Sequence, residues 1–298
     1  MSTIATGESG TASHERAVPA IPLTGTALQR ALAFEWTRLK GLRSTWVATA
    51  AMAVLSLLNG VLLPTEVVEP KGGGQASLEV ASLVNSLQFD PIGMQLPFTA
   101  WLLVFVLGTG PVTTEFGHRT ARTAWLTVGN RGLSYSAKLL VGAAGALAVS
   151  VGGLALSTAL GSAALVVAEV PQPDWSAAAG PLLRYLIVMA CLPVLAGGLA
   201  ALVRNRQLAV LALVLWPLLL ERIVGLAVER IPGMDGAADW FPFAAARAAM
   251  NGARDPDGFT RLLIGSDLAP LTGLGVFCAC AAVVAWCGWL VYRQAEAP

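Results

Sequence analysis

Residues 182–203 read LLRYLIVMACLPVLAGGLAALV, and the chain turns polar at once with Arg204, Asn205 and Arg206. Arg184 is the sole charge in that run. A helix rising about 1.5 Å per residue would carry it roughly 33 Å, against ~30 Å for the hydrocarbon core of a bilayer. Five further stretches have the same character: Thr45 to Leu63, Ile92 to Val112, Leu139 to Ala168, Leu208 to Val228 and Pro270 to Tyr292. The sequence therefore predicts an all-α, polytopic membrane protein with six transmembrane helices. Composition agrees, with 55% hydrophobic residues, 12% charged residues and a mean hydropathy of +0.67, values far from those of a soluble globular domain.

The net charge of +1 conceals an alternation along the chain. Arg30, Arg38, Lys40 and Arg43 precede the first span, and Arg119, Arg122, Arg131 and Lys138 fill the loop after the second. Arg204 and Arg206 separate the fourth and fifth spans, and Arg293 follows the sixth. The intervening loops are acidic, with Glu66, Glu69, Glu79 and Asp90 in one and Glu169 and Asp174 in the next. Basic bias in short loops sets orientation, so both termini are expected in the cytoplasm and the chain in the plasma or inner membrane. The long segment Glu229 to Ala269 would then be extracytoplasmic, and its mixed charge is a mild exception that long loops tolerate.

Residues 1–25 are rich in Ser, Thr, Gly, Ala and Pro and lack the charged start, apolar centre and cleavage site of a signal peptide. A disordered cytoplasmic tail is the expectation there, with the first span an uncleaved signal anchor. The rest, 26–298, reads as one membrane domain. It begins with TALQRALAFEWTRLKGLRS, Thr26 to Ser44, in which Leu28, Ala31, Leu32, Trp36, Leu39 and Leu42 share a helical face opposite Arg30, Thr37 and Lys40. Such a helix is expected to lie along the inner membrane surface. Glu35 falls inside the apolar stripe. It either pairs with Arg38 one turn on, or reaches a basic group of the loop between spans two and three or of a docked partner.

That loop reads TTEFGHRTARTAWLTVGNRGLSYSAK from Thr113 to Lys138. Glu115, His118, Arg119 and Arg122 crowd ahead of an apolar TAWL, and Gly129, Asn130 and Gly132 then break the pattern. A short helix, a turn and a return to the third span at Lys138 would account for it, although basic residues are required here for orientation alone.

These elements resemble the membrane subunits of type-2 ATP-binding-cassette (ABC) exporters, particularly actinobacterial ones. FEWTRLKGLRSTW, Phe34 to Trp46, is similar to that family's N-terminal helix with a Glu followed by basic residues. Glu115, Thr120, Leu126, Arg131 and Lys138 fall where the family has a Glu ending span two, a Gly-Thr, a helix with Leu, a Pro-x-Arg turn and a Lys opening span three. Arg119 stands in place of the usual Gly and Gly129 in place of the usual Pro. WFPFAAARAAM, Trp240 to Met250, resembles the family's aromatic segment before the last span. The resemblance implies a permease that docks a separate ABC ATPase subunit and pairs with a second permease, the same chain or a relative, to form the pathway. Residues 112–127 would be the coupling helix, with Glu115, Arg119, Thr120, Arg122 and Leu126, and Arg131 beyond it. Residues 26–44 would be the interface helix, with Glu35, Trp36, Arg38 and Lys40. Consistent with a missing motor, no G-x-x-x-x-G-K-[ST] loop and no Leu-Ser-Gly-Gly occurs in the chain, so ATP hydrolysis belongs to a partner.

The spans leave little room for other chemistry. His14 and His118 lie outside them, and Cys191, Cys278, Cys280 and Cys287 lack a C-x-x-C motif and read as small packing residues, so no metal, cofactor or disulfide is expected and the chain is not read as an enzyme. Nor does anything suggest nucleic acid; membrane lipid is the other expected contact. Arg184, near the outer surface, should snorkel. Glu221 and Arg222 lie about 20 Å up the fifth span. Either that helix ends early and leaves both interfacial, or they form an outer gate with Phe243 and Arg247. In the gating version Trp240 to Met250 dips into the outer interface, Pro242 starts a short helix, Arg247 keeps its polar face wet and Glu221 meets Arg247. Pro97, Pro193 and Pro217 interrupt spans two, four and five, as kinks or as bending points. Gly153, Ser157 and Gly161 permit close packing within the chain or at a dimer seam. Trp46, Trp175, Trp289 and Tyr292 are expected as interfacial anchors. A secondary transporter or a non-transporting sensor or assembly subunit is the alternative. The first would want ionisable groups at the midplane or duplicated halves.

Overall fold

A computed structural model describes residues 26–66, 79–87, 98–117, 130–251 and 265–294. Among them the chain is predominantly helical, with no strand. Five helices are long and apolar enough to cross a membrane, Arg43–Thr65, Arg131–Val167, Trp175–Val203, Gln207–Val228 and Pro270–Gln294, as in a helical membrane protein. The tail 1–25, Pro97 and the start of the predicted second span, and the loop positions Arg119, Thr120, Arg122 and Leu126 lie outside the described residues.

Helix α1, Ala27–Gly41, opens with a capping box: Thr26 accepts from the Gln29 amide while the Gln29 side chain accepts from the Thr26 amide. A single extended residue, Leu42, turns the chain into α2, Arg43–Leu62. After a short α3, Val80–Leu87, comes α4, Phe98–Gly117, which carries Pro111 and runs a turn past the boundary expected at Val112. Helix α5, Arg131–Val167, holds 37 residues, roughly 55 Å of helix. It begins eight residues ahead of the predicted Leu139, because Asn130 caps it by accepting from the Leu133 amide. Gly132 therefore sits in the first turn and does not break the chain. It is seated against Trp289, whose Nε1 would lie 2.8 Å from a Cβ there.

Helix α6, Trp175–Val203, also starts a turn and more before the predicted Leu182, capped by Asp174. Arg204 closes it in the left-handed region at φ 55°, and Asn205 immediately caps α7, Arg206–Leu215. Pro217 has no amide to give, and the ladder widens into one π-helical stretch, Trp216–Leu220, before α8, Glu221–Val228. A short α9, Pro242–Met250, and a final α10, Pro270–Gln294, complete the chain.

The bundle is assembled on small residues. Helices α2 and α5 run parallel, with Ser157 Oγ donating to the Ser56 carbonyl at 3.0 Å and Gly60 lying directly on Leu160 and Gly161. The Gly153–Ser157–Gly161 stripe thus serves packing inside the chain. Helices α6 and α10 are also parallel: Cys191 Sγ is 3.6 Å from Cys278 Sγ, Gly198 abuts Val284 and Ala285, and Arg204 donates to the Val291 carbonyl. The two bonded pairs keep one sequence offset of 87, so the helices stay in register along their length. Gly108 and Gly197 bring α4 equally close to α6, Gly108 against Pro193. The largest apolar cluster, including Met52, Trp101, Phe105, Tyr185, Met189, Phe243 and Phe277, fills the space these contacts enclose.

Candidate functional site

Ionisable side chains gather at both ends of the bundle. At the α1 end the carboxylate of Glu115, in the last turn of α4, is fully buried. Its Oε1 accepts from Arg38 Nη1 at 2.6 Å and Lys138 Nζ at 2.9 Å, and its Oε2 from the Tyr292 hydroxyl at 2.7 Å. Glu35 is 2% exposed and accepts from Lys138 Nζ, with Arg38 Nη1 at 3.8 Å. Lys138 completes its three donors on Ser134 Oγ, and Arg38 Nη2 donates to Thr114 Oγ1 at 2.7 Å. Two acids and two cations cancel, and each has partners on a second element. One network thereby joins α1, the end of α4, the start of α5 and the end of α10.

The charges are expensive to bury and keep their place only as a set. Removing one member of a buried pair typically costs about 3–5 kcal/mol, because the partner stays desolvated. Burial raises the Glu35 carboxyl above its usual range, with Lys138 and then Arg38 pulling the other way.

Of the predicted interface-helix residues, Glu35 and Arg38 belong to this network. Trp36 and Lys40 do not: both are exposed, with the Lys40 ammonium 5.1 Å from the centre of the Trp36 ring. The expected apolar stripe also divides. Ala31, Glu35 and Leu39 at four-residue spacing face the bundle, Leu39 against Gly145, while Leu28 and Trp36 are exposed. Arg131 is exposed in the first turn of α5. Lys138, two turns into α5 and not at its start, is the basic group of the Thr113–Lys138 loop that Glu35 was expected either to reach or to forgo for Arg38, and Tyr292, fully buried and not an interfacial anchor, is a member that the site reading did not include. The signal for Lys138 was present as a lysine at the edge of an apolar run; Tyr292 carried none beyond its position near a span end.

At the opposite end Glu221 performs an unusual cap. The widened turn before it points its side chain inward, where Oε1 accepts from the Phe243 amide at 2.8 Å and Oε2 from the Ala244 amide at 2.9 Å. Those are free amides in the first turn of α9, whose first residue is Pro242. Arg247 Nη2 lies 3.6 Å from Glu221 Oε2. The pairing foreseen between Glu221 and Arg247 is present, but Arg247 is 2% exposed, so it does not keep a wet face on α9. The reason is that α9 is buried all round, from Phe243 to Met250, against α10, where Gly273 admits the Ala245 carbonyl. Burial lowers the Arg247 guanidinium to about 10, with Glu221 opposing, which leaves it charged near neutral pH.

The other end of α9 is held by Arg184. Its Nε donates to the Ala249 carbonyl at 2.6 Å and its Nη2 reaches the Asn251 carbonyl at 3.5 Å. An acid at the N-terminus and a base at the C-terminus both match the helix dipole. Arg184 is therefore committed to α9 and does not snorkel. Helix α8 continues to Val228, so Glu221 and Arg222 do not lie beyond an early helix end. Arg222 is half-buried near Gly265. Phe243 is fully buried. No protein-family model matches this chain, and no curated protein matches it.

Proposed function

We propose that this chain is the permease subunit of an ABC exporter, forming the translocation pathway with a second copy or a related permease and taking its power from a separate ATPase subunit. In this reading α4, itself 20 residues long and apolar, is the sixth span. Both termini lie in the cytoplasm, α1 lies along the inner surface of the plasma membrane, and α9 lies at the outer end.

The observation that carries the reading is the charge network of Glu35, Arg38, Glu115 and Lys138. A permease must turn motion of an ATPase at its inner face into motion of its spans, and any slack at the junction dissipates it. The network fastens the N-terminal helix to three apolar helices at their common end, on side chains with no freedom to slide. Glu35 and Glu115 are buried in it and act as positioning residues. Contact with the ATPase then falls to exposed groups of α1, Trp36 and Lys40, and to Arg119, Arg122 and Leu126 of the 112–127 segment. The chemistry of ATP hydrolysis stays with the partner.

The test is purification of the tagged chain from its own membranes in mild detergent. A P-loop ATPase in stoichiometric amount, hydrolysing ATP in the complex, is expected. An inserted, folded chain that retains no such subunit overturns the reading.

A further inference from the structure

Phe243 is the second residue of α9, and its ring is enclosed by four other aromatic rings. Trp101 lies 5.4 Å away between centroids, Trp216 6.1 Å, Phe277 6.2 Å and Phe105 6.3 Å, tilted or edge-on to it. Three helical segments contribute them, α4, the π-helical turn and α10, and α9 brings in Phe243 itself. None of the five is exposed beyond half-buried. Edge-on and tilted contacts of this kind are the geometry in which aromatic rings attract one another, and they are as available to a foreign ring as to Phe243.

A second observation is independent of the stacking. Trp101 is fully buried, and its indole Nε1 has no hydrogen-bond partner among the described residues. Indole nitrogen is a donor only, and buried donors are nearly always matched by an acceptor. The phenyl ring of Phe243 offers none.

A third concerns room to move. Glu221, Ala244 and Arg247 line a cavity of about 400 Å³ that also borders Arg222, Asp239 and Asp267. The helix that carries Phe243, although buried from Phe243 to Met250, thus packs on aromatic rings through one face and lines this cavity with Ala244 and Arg247 on another.

We infer that the Phe243 ring occupies a receptacle whose other occupant is a small aromatic molecule, or the aromatic end of a larger amphiphile, bearing one hydrogen-bond acceptor. The acceptor meets Trp101 Nε1, and the ring takes the position of the Phe243 phenyl when α9 shifts toward its cavity. As a statement about cargo this rests on the exporter reading, since it names the substrate class of that pathway; as a statement about binding it does not.

The experiment uses the full chain in lipid nanodiscs and two probes that differ by a carbonyl, 4-fluoroacetophenone and 1-ethyl-4-fluorobenzene, followed by fluorine NMR. Phe243→Ala is expected to bind the ketone saturably and about five- to tenfold more tightly than the hydrocarbon, the margin of one hydrogen bond. Adding Trp101→Phe should erase that preference while leaving binding of the hydrocarbon. The wild type, whose own ring must first leave the receptacle, should also bind the ketone saturably but more weakly than Phe243→Ala, and no saturable binding to it overturns the inference, since the substitution alone would then have made the site. If Phe243→Ala does not fold, Phe243→Val is assayed in its place with the same readout. A folded variant that binds neither probe saturably, binds both equally, keeps its preference without Trp101, or binds no better than wild type overturns the inference. No ATPase enters the assay. Binding in a chain that recruits no ATPase would remove the exporter reading alone, and an ATPase-bound chain without the receptacle would remove this inference alone.

Discussion

Arg38 on the N-terminal helix and Glu115 at the end of α4 are 77 positions apart in sequence and 2.6 Å apart in space, with Lys138 on the same carboxylate oxygen. The contact makes the cost of any single change at this junction larger than a surface ion pair would suggest. Glu115→Ala leaves the buried Lys138 and the half-buried Arg38 short of a partner and should destabilise the protein by about 3–5 kcal/mol. The effects should also be non-additive: Glu35→Gln with Lys138→Met should cost less than the two singles summed. Thermal unfolding in detergent measures both, and strict additivity would show that the four residues do not act as one network.

Tyr292→Phe isolates one bond of the same network. It removes a donor to a carboxylate without changing the ring that packs on Tyr135 at 5.2 Å. A loss of about 1.5–3 kcal/mol is expected, the range for hydrogen bonds to charged groups. An unchanged midpoint would mean that the hydroxyl is dispensable to Glu115.

How much of this was legible beforehand depends on what each residue had to signal. Apolar length alone foretold the long helices, and the i,i+4 phase of Glu35 inside an apolar face marked it as a residue needing a basic partner. The partner, Lys138, is 103 positions away in the loop named as one of two possible sources, and local pattern could not say which of that loop's basic residues would be met. Arg184 had the look of a snorkelling arginine because nothing in its own helix shows that the Ala249 carbonyl will lie beside it. Pro217 announced an interrupted helix. It did not announce that the interruption would be a π-helical turn, whose extra residue swings Glu221 onto α9. Asn130 was read as a breaker because a cap and a break use the same residues, and only the amide of Leu133 decides between them.

Glu221→Gln should loosen α9 selectively. The amide has one acceptor oxygen where the carboxylate has two, so either the Phe243 or the Ala244 amide loses its bond and Arg247 loses its counter-charge. Hydrogen exchange at residues 243–250 should accelerate while exchange in α5 stays as in the wild type. Equal protection in both proteins would indicate that the cap contributes nothing to holding α9.

The parallel register of α6 and α10 can be read out chemically. Cys191 and Cys278, with sulfurs 3.6 Å apart, should be joined within one chain by copper phenanthroline, and peptide mapping should show Cys287 unjoined. A free Cys191–Cys278 pair after exhaustive oxidation would put the two helices in a different register.

Two glycines should behave oppositely. A Cβ at Gly198 would stand 2.8 Å from the Val284 carbonyl, so Gly198→Ala must push α6 from α10 and should cost about 1–3 kcal/mol. At Gly152 nothing lies within 4 Å, and Gly152→Ala should be neutral or gain up to about 1 kcal/mol from helix propensity. Matching melting shifts for the two would contradict the packing described.

Docking of an ATPase on the face that carries α1 is the claim on which the functional reading stands, and photocrosslinking addresses it directly. A benzophenone amino acid replaces Trp36, which is 40% exposed on α1, or Trp240, 57% exposed next to α9, in chains expressed in their own host membranes. The account predicts that position 36 captures a subunit identified by its P-loop peptide, and that position 240 does not. Capture of no such subunit at position 36, or equal capture at both positions, would contradict it.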